Sequence, residues 1–113
     1  MNLKFKRPEE MNREEFHIIA SLLQEAADRG YAISVWDSAY DEYADKVVNR
    51  SKDYAKVFEA MHSGESATVE FFDGRTGFRL GAAVIFWGER DTIISDYTDF
   101  PEISSLVEAA EAA

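Results

Sequence analysis

The chain predicts an α+β domain: an antiparallel β-sheet of about five strands with about three helices, in the order α-β-β-α-β-β-β-α. Three observations carry this. A helical stretch opening at Asn12 is punctuated at both ends, "DGRTG" joins two strand-like runs, and Phe78–Trp87 is apolar at both strand parities. One domain suits a chain of 113 residues that is 46% apolar, with aromatics enough for a packed core. Residues 1–11 are expected to form a flexible N-terminal segment ahead of it.

The first helix is justified by its ends and its stripe. Asn12 with Glu15 three residues on forms a capping box, Phe16, Ile19, Ala20, Leu23 and Ala27 recur at helical spacing, and Gly30 supplies a left-handed stop. "YAISVW" follows and reads as a strand from its β-branched and aromatic residues. The middle admits two readings. Tyr40, Tyr43, Ala44, Val47 and Val48 fit a stripe that continues through Tyr54, Ala55, Phe58 and Met61, as one helix from Ser38 to His62 would require. "KVVNRS", however, is poor helix material, and Ser51 with Asp53 resembles a fresh N-terminus, so a break near Ser51 is preferred. Lys46–Arg50 then forms a short strand paired with "AISVW", and a second helix runs from Lys52 to about His62.

The remainder reads as a three-stranded meander and a helix. "SATVEFF" and "FRLGAAVIFW" flank the turn, where Asp73, Gly74 and Gly77 are expected to take positive backbone angles. Phe78, Leu80, Ala82, Val84 and Phe86 share one face of the second strand, and Gly81, Ala83, Ile85 and Trp87 the other, which predicts a central strand covered on both sides. After the "GERD" turn, Thr92–Thr98 is the last strand, and a helix runs from Pro101 to about Ala110.

Composition narrows the function classes. Without cysteine there is no disulfide framework, thiol nucleophile or cysteine-bound zinc. "AAVIFW" and "AISVW" fall far short of the roughly 20 apolar residues of a membrane span, and the start lacks the apolar core of a secretory signal, so a cytoplasmic protein with no membrane partner is expected. Twenty-two acids against 12 Lys and Arg leave a net charge of -10. Lys4, Lys6 and Arg7 make the start basic, whereas from Leu80 onward only Arg90 faces Glu89, Asp91, Asp96, Asp99, Glu102, Glu108 and Glu111. Such a surface repels phosphate backbones and favours a basic partner; solubility alone is the simpler explanation.

Chemistry-bearing residues are few. In "IISDYTDFPEI", Asp96 points to the opposite side from Ser95 and Tyr97, while Asp99 precedes a helix whose cap position is Phe100 and whose first residue is Pro101. Helix-start chemistry explains Asp99 better than a metal does, and with Asp91 the only further oxygen ligand nearby, neither metal nor cofactor is expected. His17 and His62 lack metal-ligand spacing, "HSGES" lacks a nucleophile elbow, and "DGRTG" lacks the lysine of a phosphate loop. "WDSAYDEYAD" is the remaining lead. Trp36, Tyr40, Tyr43 and Tyr54 surround an acidic patch of Asp37, Asp41, Glu42 and Asp45, as an interface facing Arg and Lys would; the plainer reading puts half of the rings in the core.

Taken together, "ISVWD", "RSKDYAKVFEAM", "SGES", "FFDG", "LGAAVIFWG" and "IISDYTD" resemble a family of small phage and prophage proteins with no established activity. The resemblance covers roughly residues 31–107. It departs at Glu89, where an Asn usually follows the glycine, and in the longer acidic segment "SAYDEYAD". It implies a phage or prophage origin, hence the host bacterial cytoplasm, and supports the strand-then-helix reading of the middle. The expected function is a non-enzymatic protein that binds a basic host protein through its acidic, aromatic-containing surface, as a nucleic-acid-mimicking inhibitor of a host defence or DNA-binding protein. Direct nucleic-acid binding is not expected. One alternative is a structural protein self-associating into a homo-oligomer through "FRLGAAVIFW" or exposed aromatics; another is a metal-dependent enzyme built on Asp91, Asp96 and Asp99.

Overall fold

Each helix begins where the sequence supplies a start. In the computed structural model, which describes residues 3–39, 41–87 and 93–113, α1 (Arg13–Asp28) opens with the complete capping box of Asn12 and Glu15. It closes on Gly30 at φ 76°, with the Gly30 N–H donating to the Ala27 carbonyl and the Tyr31 N–H to the Ala26 carbonyl. That pairing satisfies carbonyls the helix end would otherwise orphan. Two further elements, β1 (Ala32–Trp36) and β2 (Lys46–Ser51), pair antiparallel. The break expected near Ser51 is present. Ser51 Oγ accepts from the Asp53 N–H, the Asp53 carboxylate accepts from the Lys56 N–H, and α2 (Tyr54–Met61) starts there. A third helix, α3 (Pro101–Ala112), starts with Phe100 as cap residue and proline just inside.

Between α2 and α3 the chain forms β3 (Ser66–Phe72), β4 (Arg79–Phe86) and β5 (Ile94–Tyr97), and the sheet order is β2-β1-β3-β4-β5, antiparallel throughout. This is the α+β architecture and element order the sequence predicts. Thr92, with the "GERD" turn, lies outside the described residues. Within the "DGRTG" turn only Gly77, at φ 78°, takes a positive angle. Asp73 instead accepts the N–H groups of Arg75 and Thr76, and Gly74 is required for space, because a Cβ there would run into the Gly30 carbonyl and Lys52.

One sheet face carries the core. Ile33, Val35, Val48, Ala67, Val69, Phe71, Ala83, Ile85 and Ile94 are buried against Leu22, Leu23, Val57, Met61, Ile103, Leu106 and Val107 of the helices. The expectation that β4 is covered on both sides is corrected: Ala82, Val84 and Phe86 are only half-buried on the face that no helix covers. A second correction concerns its pattern. Phe71 pairs with Gly81 but Phe72 with Arg79, so a bulge at Leu80 turns Leu80 toward the core and Arg79 onto the open face, while Phe78 is 73% exposed. Ahead of α1, Phe5 stacks on Phe58 at 4.7 Å and Met11 is buried.

Candidate binding groove on the open sheet face

The acidic stretch singled out in the sequence is the β1–β2 loop, and its backbone is anchored by its own carboxylates. Asp37 N–H donates to the Asp45 carbonyl at 3.0 Å, and Asp37 Oδ1 accepts the Asp45 N–H at 3.0 Å, closing the loop at its base. Ala39 N–H donates to Ser66 Oγ at 2.9 Å, which ties the loop to the start of β3. Asp41 Oδ1 accepts the Tyr43 N–H at 2.9 Å, and the Asp41 carbonyl accepts the Ala44 N–H. Aspartates that fold back on nearby N–H groups are a standard way of setting a loop's path.

This geometry sorts the predicted site residues. Asp41, Glu42, Tyr43 and Asp45 are exposed, Tyr43 at 83%. Asp37 is half-buried and serves the loop. Trp36, at the end of β1, is half-buried on the open face. Tyr40 lies outside the described residues.

Beneath the loop runs a groove of about 510 Å³, whose lining includes Trp36, Asp41, Glu42, Thr68, Glu70 and Arg79. Its floor is braced across three strands. Trp36 Nε1 donates to Glu70 Oε1 at 2.7 Å, and Arg79 Nε donates to Glu70 Oε2 at 2.9 Å. Burial pushes the Glu70 carboxyl up, but the Trp36 and Arg79 hydrogen bonds, with the charges of Arg79 and Lys46, outweigh it and hold Glu70 below the usual carboxylate range. Lys46 Nζ stands 5.0 Å from the centroid of the Trp36 ring, and Arg50, the one described non-glycine residue with positive φ, lays its guanidinium 4.3 Å from the centroid of Phe72. Cations thus already lie on aromatic faces of the open sheet surface. In sequence, Glu70 is only a lone charge within "TVEFF". Arg79 needed the bulge to reach it, and Gly81 inside a strand was the available sign of one.

The other candidates are dispersed. Asp96 sits on β5 opposite Val84 and accepts the Tyr97 N–H through Oδ1, whereas Asp99 is exposed between β5 and α3. Asp91 lies outside the described residues, among which no group of three or more His, Asp or Glu converges to hold a metal. His17 Nε2 lies 2.6 Å from the Ala113 carbonyl oxygen, and His62 Nδ1 lies 3.6 Å from Glu10. No helix of the described residues is long and apolar enough to cross a membrane. The chain matches no protein-family model, no curated protein and no solved structure.

Proposed function

We infer that this is a non-catalytic binding protein whose acidic loop, residues 37–45, engages a basic protein partner. The observation that carries the reading is the anchored loop: its base is closed by Asp37 and Asp45 and its side is tied to Ser66, so Asp41 and Glu42 stand at the groove while Tyr43 and Asp45 are exposed on the same loop. Carboxylates held in place lose little freedom on pairing with guanidinium or ammonium groups, and an exposed tyrosine beside them supplies contact area. The net charge of -10 adds attraction at longer range and disfavours nucleic acid as the direct ligand. On the resemblance to phage and prophage proteins, the partner is a basic host protein. A host defence or DNA-binding protein is the class whose phosphate-binding channel such a surface would occupy, with carboxylates standing where phosphates would.

Capture from bacterial lysate at low and moderate salt tests this, comparing wild type with the triple variant Asp41→Asn, Glu42→Gln and Asp45→Asn. The expected result is a basic protein, identified by mass spectrometry, that wild type retains at low salt and that is lost both in the variant and at higher salt. Equal capture by both proteins at both salt levels overturns the acidic-loop mechanism. A second reading, self-association through the open face, draws on the half-buried Ala82 and Val84 of β4. It predicts a dimer by light scattering that is insensitive to the loop variant.

A further inference from the structure

We propose that the groove is the seat for an arginine side chain of the partner, stacked on Trp36, and that Lys46 competes for that ring in the unbound protein. The inference rests on the acidic-loop reading and specifies what the loop's neighbour does. Its starting point is the Trp36 ring, whose face attracts a cation strongly enough that the chain's own Lys46 ammonium stands over it at 5.0 Å. The ring cannot swing away freely, since its Nε1–H is bonded to Glu70 and Glu70 is bonded in turn to Arg79. Small side chains at Ala44, Thr68 and Ala82 leave the space above this floor open, and Asp41 and Glu42 stand at its loop side.

Charge decides the occupant. Three carboxylates line the groove; the cations beside them are Arg79, already paired with Glu70, and the Lys46 ammonium over Trp36, so one cation replaces the other when an arginine displaces Lys46. An arginine suits such a place better than a lysine: its planar group stacks on an indole face while its edge N–H groups donate to carboxylates. Lys46 is a surface residue on the edge strand β2, so its ammonium can leave the ring for water at small cost. It therefore acts as an internal competitor. Removing it should strengthen binding, although Lys46 directly follows the acidic loop.

The probe is a short peptide alternating arginine and glycine, with its lysine counterpart, titrated while the Trp36 and Trp87 indole N–H resonances are followed. The arginine peptide should bind more tightly than the lysine one and shift Trp36 but not Trp87, whose Nε1–H is bonded to the Met61 carbonyl on the other side of the sheet. Lys46→Met should tighten the arginine peptide by about two- to fivefold, the equivalent of one exposed cation–π contact. Lys52→Met removes the same charge away from the groove and should give a smaller gain. In a Trp36→Leu background the gain from Lys46→Met should vanish, whereas Trp36→Phe, which keeps a ring, should retain part of it. An equal gain from Lys46→Met with and without Trp36, or a Trp36 resonance unmoved by bound peptide, overturns the seat. If such binding still weakens in the triple loop variant, the acidic-loop reading stands without it. Binding that shifts Trp36 yet ignores the triple variant removes the loop reading instead, and absence of binding by both peptides at low salt overturns both.

Discussion

Replacing Glu70 by glutamine tests the brace under the groove without emptying it. Glutamine keeps the length and an oxygen for the Trp36 N–H but removes the charge that Trp36 and Arg79 both address at 2.7 and 2.9 Å. A hydrogen bond to a charged group contributes about 1.5–3 kcal/mol and a neutral one about 0.5–1.5, so the Trp36 bond should lose about 1 kcal/mol. The Arg79 pair adds little, because the Arg79 side chain is 51% exposed and such pairs contribute about 0–1 kcal/mol. A destabilisation of about 1–2 kcal/mol at neutral pH follows, measurable by urea unfolding. Its pH dependence identifies the cause. The folded-state carboxyl lies below the ordinary value of 4.5, so Glu70 contributes stability that is present above about pH 4.5 and fades as pH falls through the folded value. The gap between wild type and Glu70→Gln should therefore narrow as pH falls below about 4.5. A gap that does not narrow on acidification, or none at pH 7, refutes the argument that an ionised Glu70 holds Trp36.

Two further perturbations probe the scaffold. Gly81 sits at φ 150°, and a Cβ there would lie 2.7 Å from Ile103 Cγ1 and 2.9 Å from Thr98 Cβ, so Gly81→Ala should cost about 3 kcal/mol through overpacking and backbone strain; a shift in urea midpoint worth less than about 1 kcal/mol would mean that α3 does not press on β4 here. Tyr54 is buried and its hydroxyl donates to the Tyr31 carbonyl at 2.6 Å, with burial pushing the phenol above its ordinary 10.0. That contribution is full below about pH 10 and is lost as pH rises through the folded value, so Tyr54→Phe should cost about 1 kcal/mol at neutral pH and flatten the alkaline end of the stability profile; an unchanged alkaline profile would place the titration elsewhere.

Local side-chain chemistry made much of the fold legible. Asn12, Glu15 and Gly30 bound the first helix by hydrogen bonds that the sequence spells out, and Ser51 with Asp53 stops the middle segment from becoming one helix. Proline at 101 fixes the start of α3 in the same way. What remained hidden depends on contacts between distant segments. An alternating strand of small aliphatics such as Ala82 and Val84 reads the same whether a helix or water lies above it, and the bulge that exchanges Leu80 for Arg79 shifts the register by one residue. The Glu70 network is illegible for that reason, since it joins residues on β1, β3 and β4 that become neighbours only once the register is set.

Acidity poses a related problem, because a charge count cannot distinguish carboxylates that keep a protein dissolved from those held for a partner. Glu108 and Glu111 lie exposed on α3 and fit the first description. In the β1–β2 loop the carboxylates divide by role: Asp37 closes the base, Asp41 sets the turn, and Glu42 and Asp45 extend from the path so defined. Such backbone bonds set a loop's path whether or not its charges meet a partner. The division also determines how a charge-removing experiment must be read. Asp41→Asn preserves an oxygen for the Tyr43 N–H, so the turn survives while the charge goes, whereas Asp41→Ala would loosen the loop and confuse lost attraction with lost display. Binding that survives the amide substitutions but fails with alanine at the same positions would show that loop shape, and not charge, is what a partner reads.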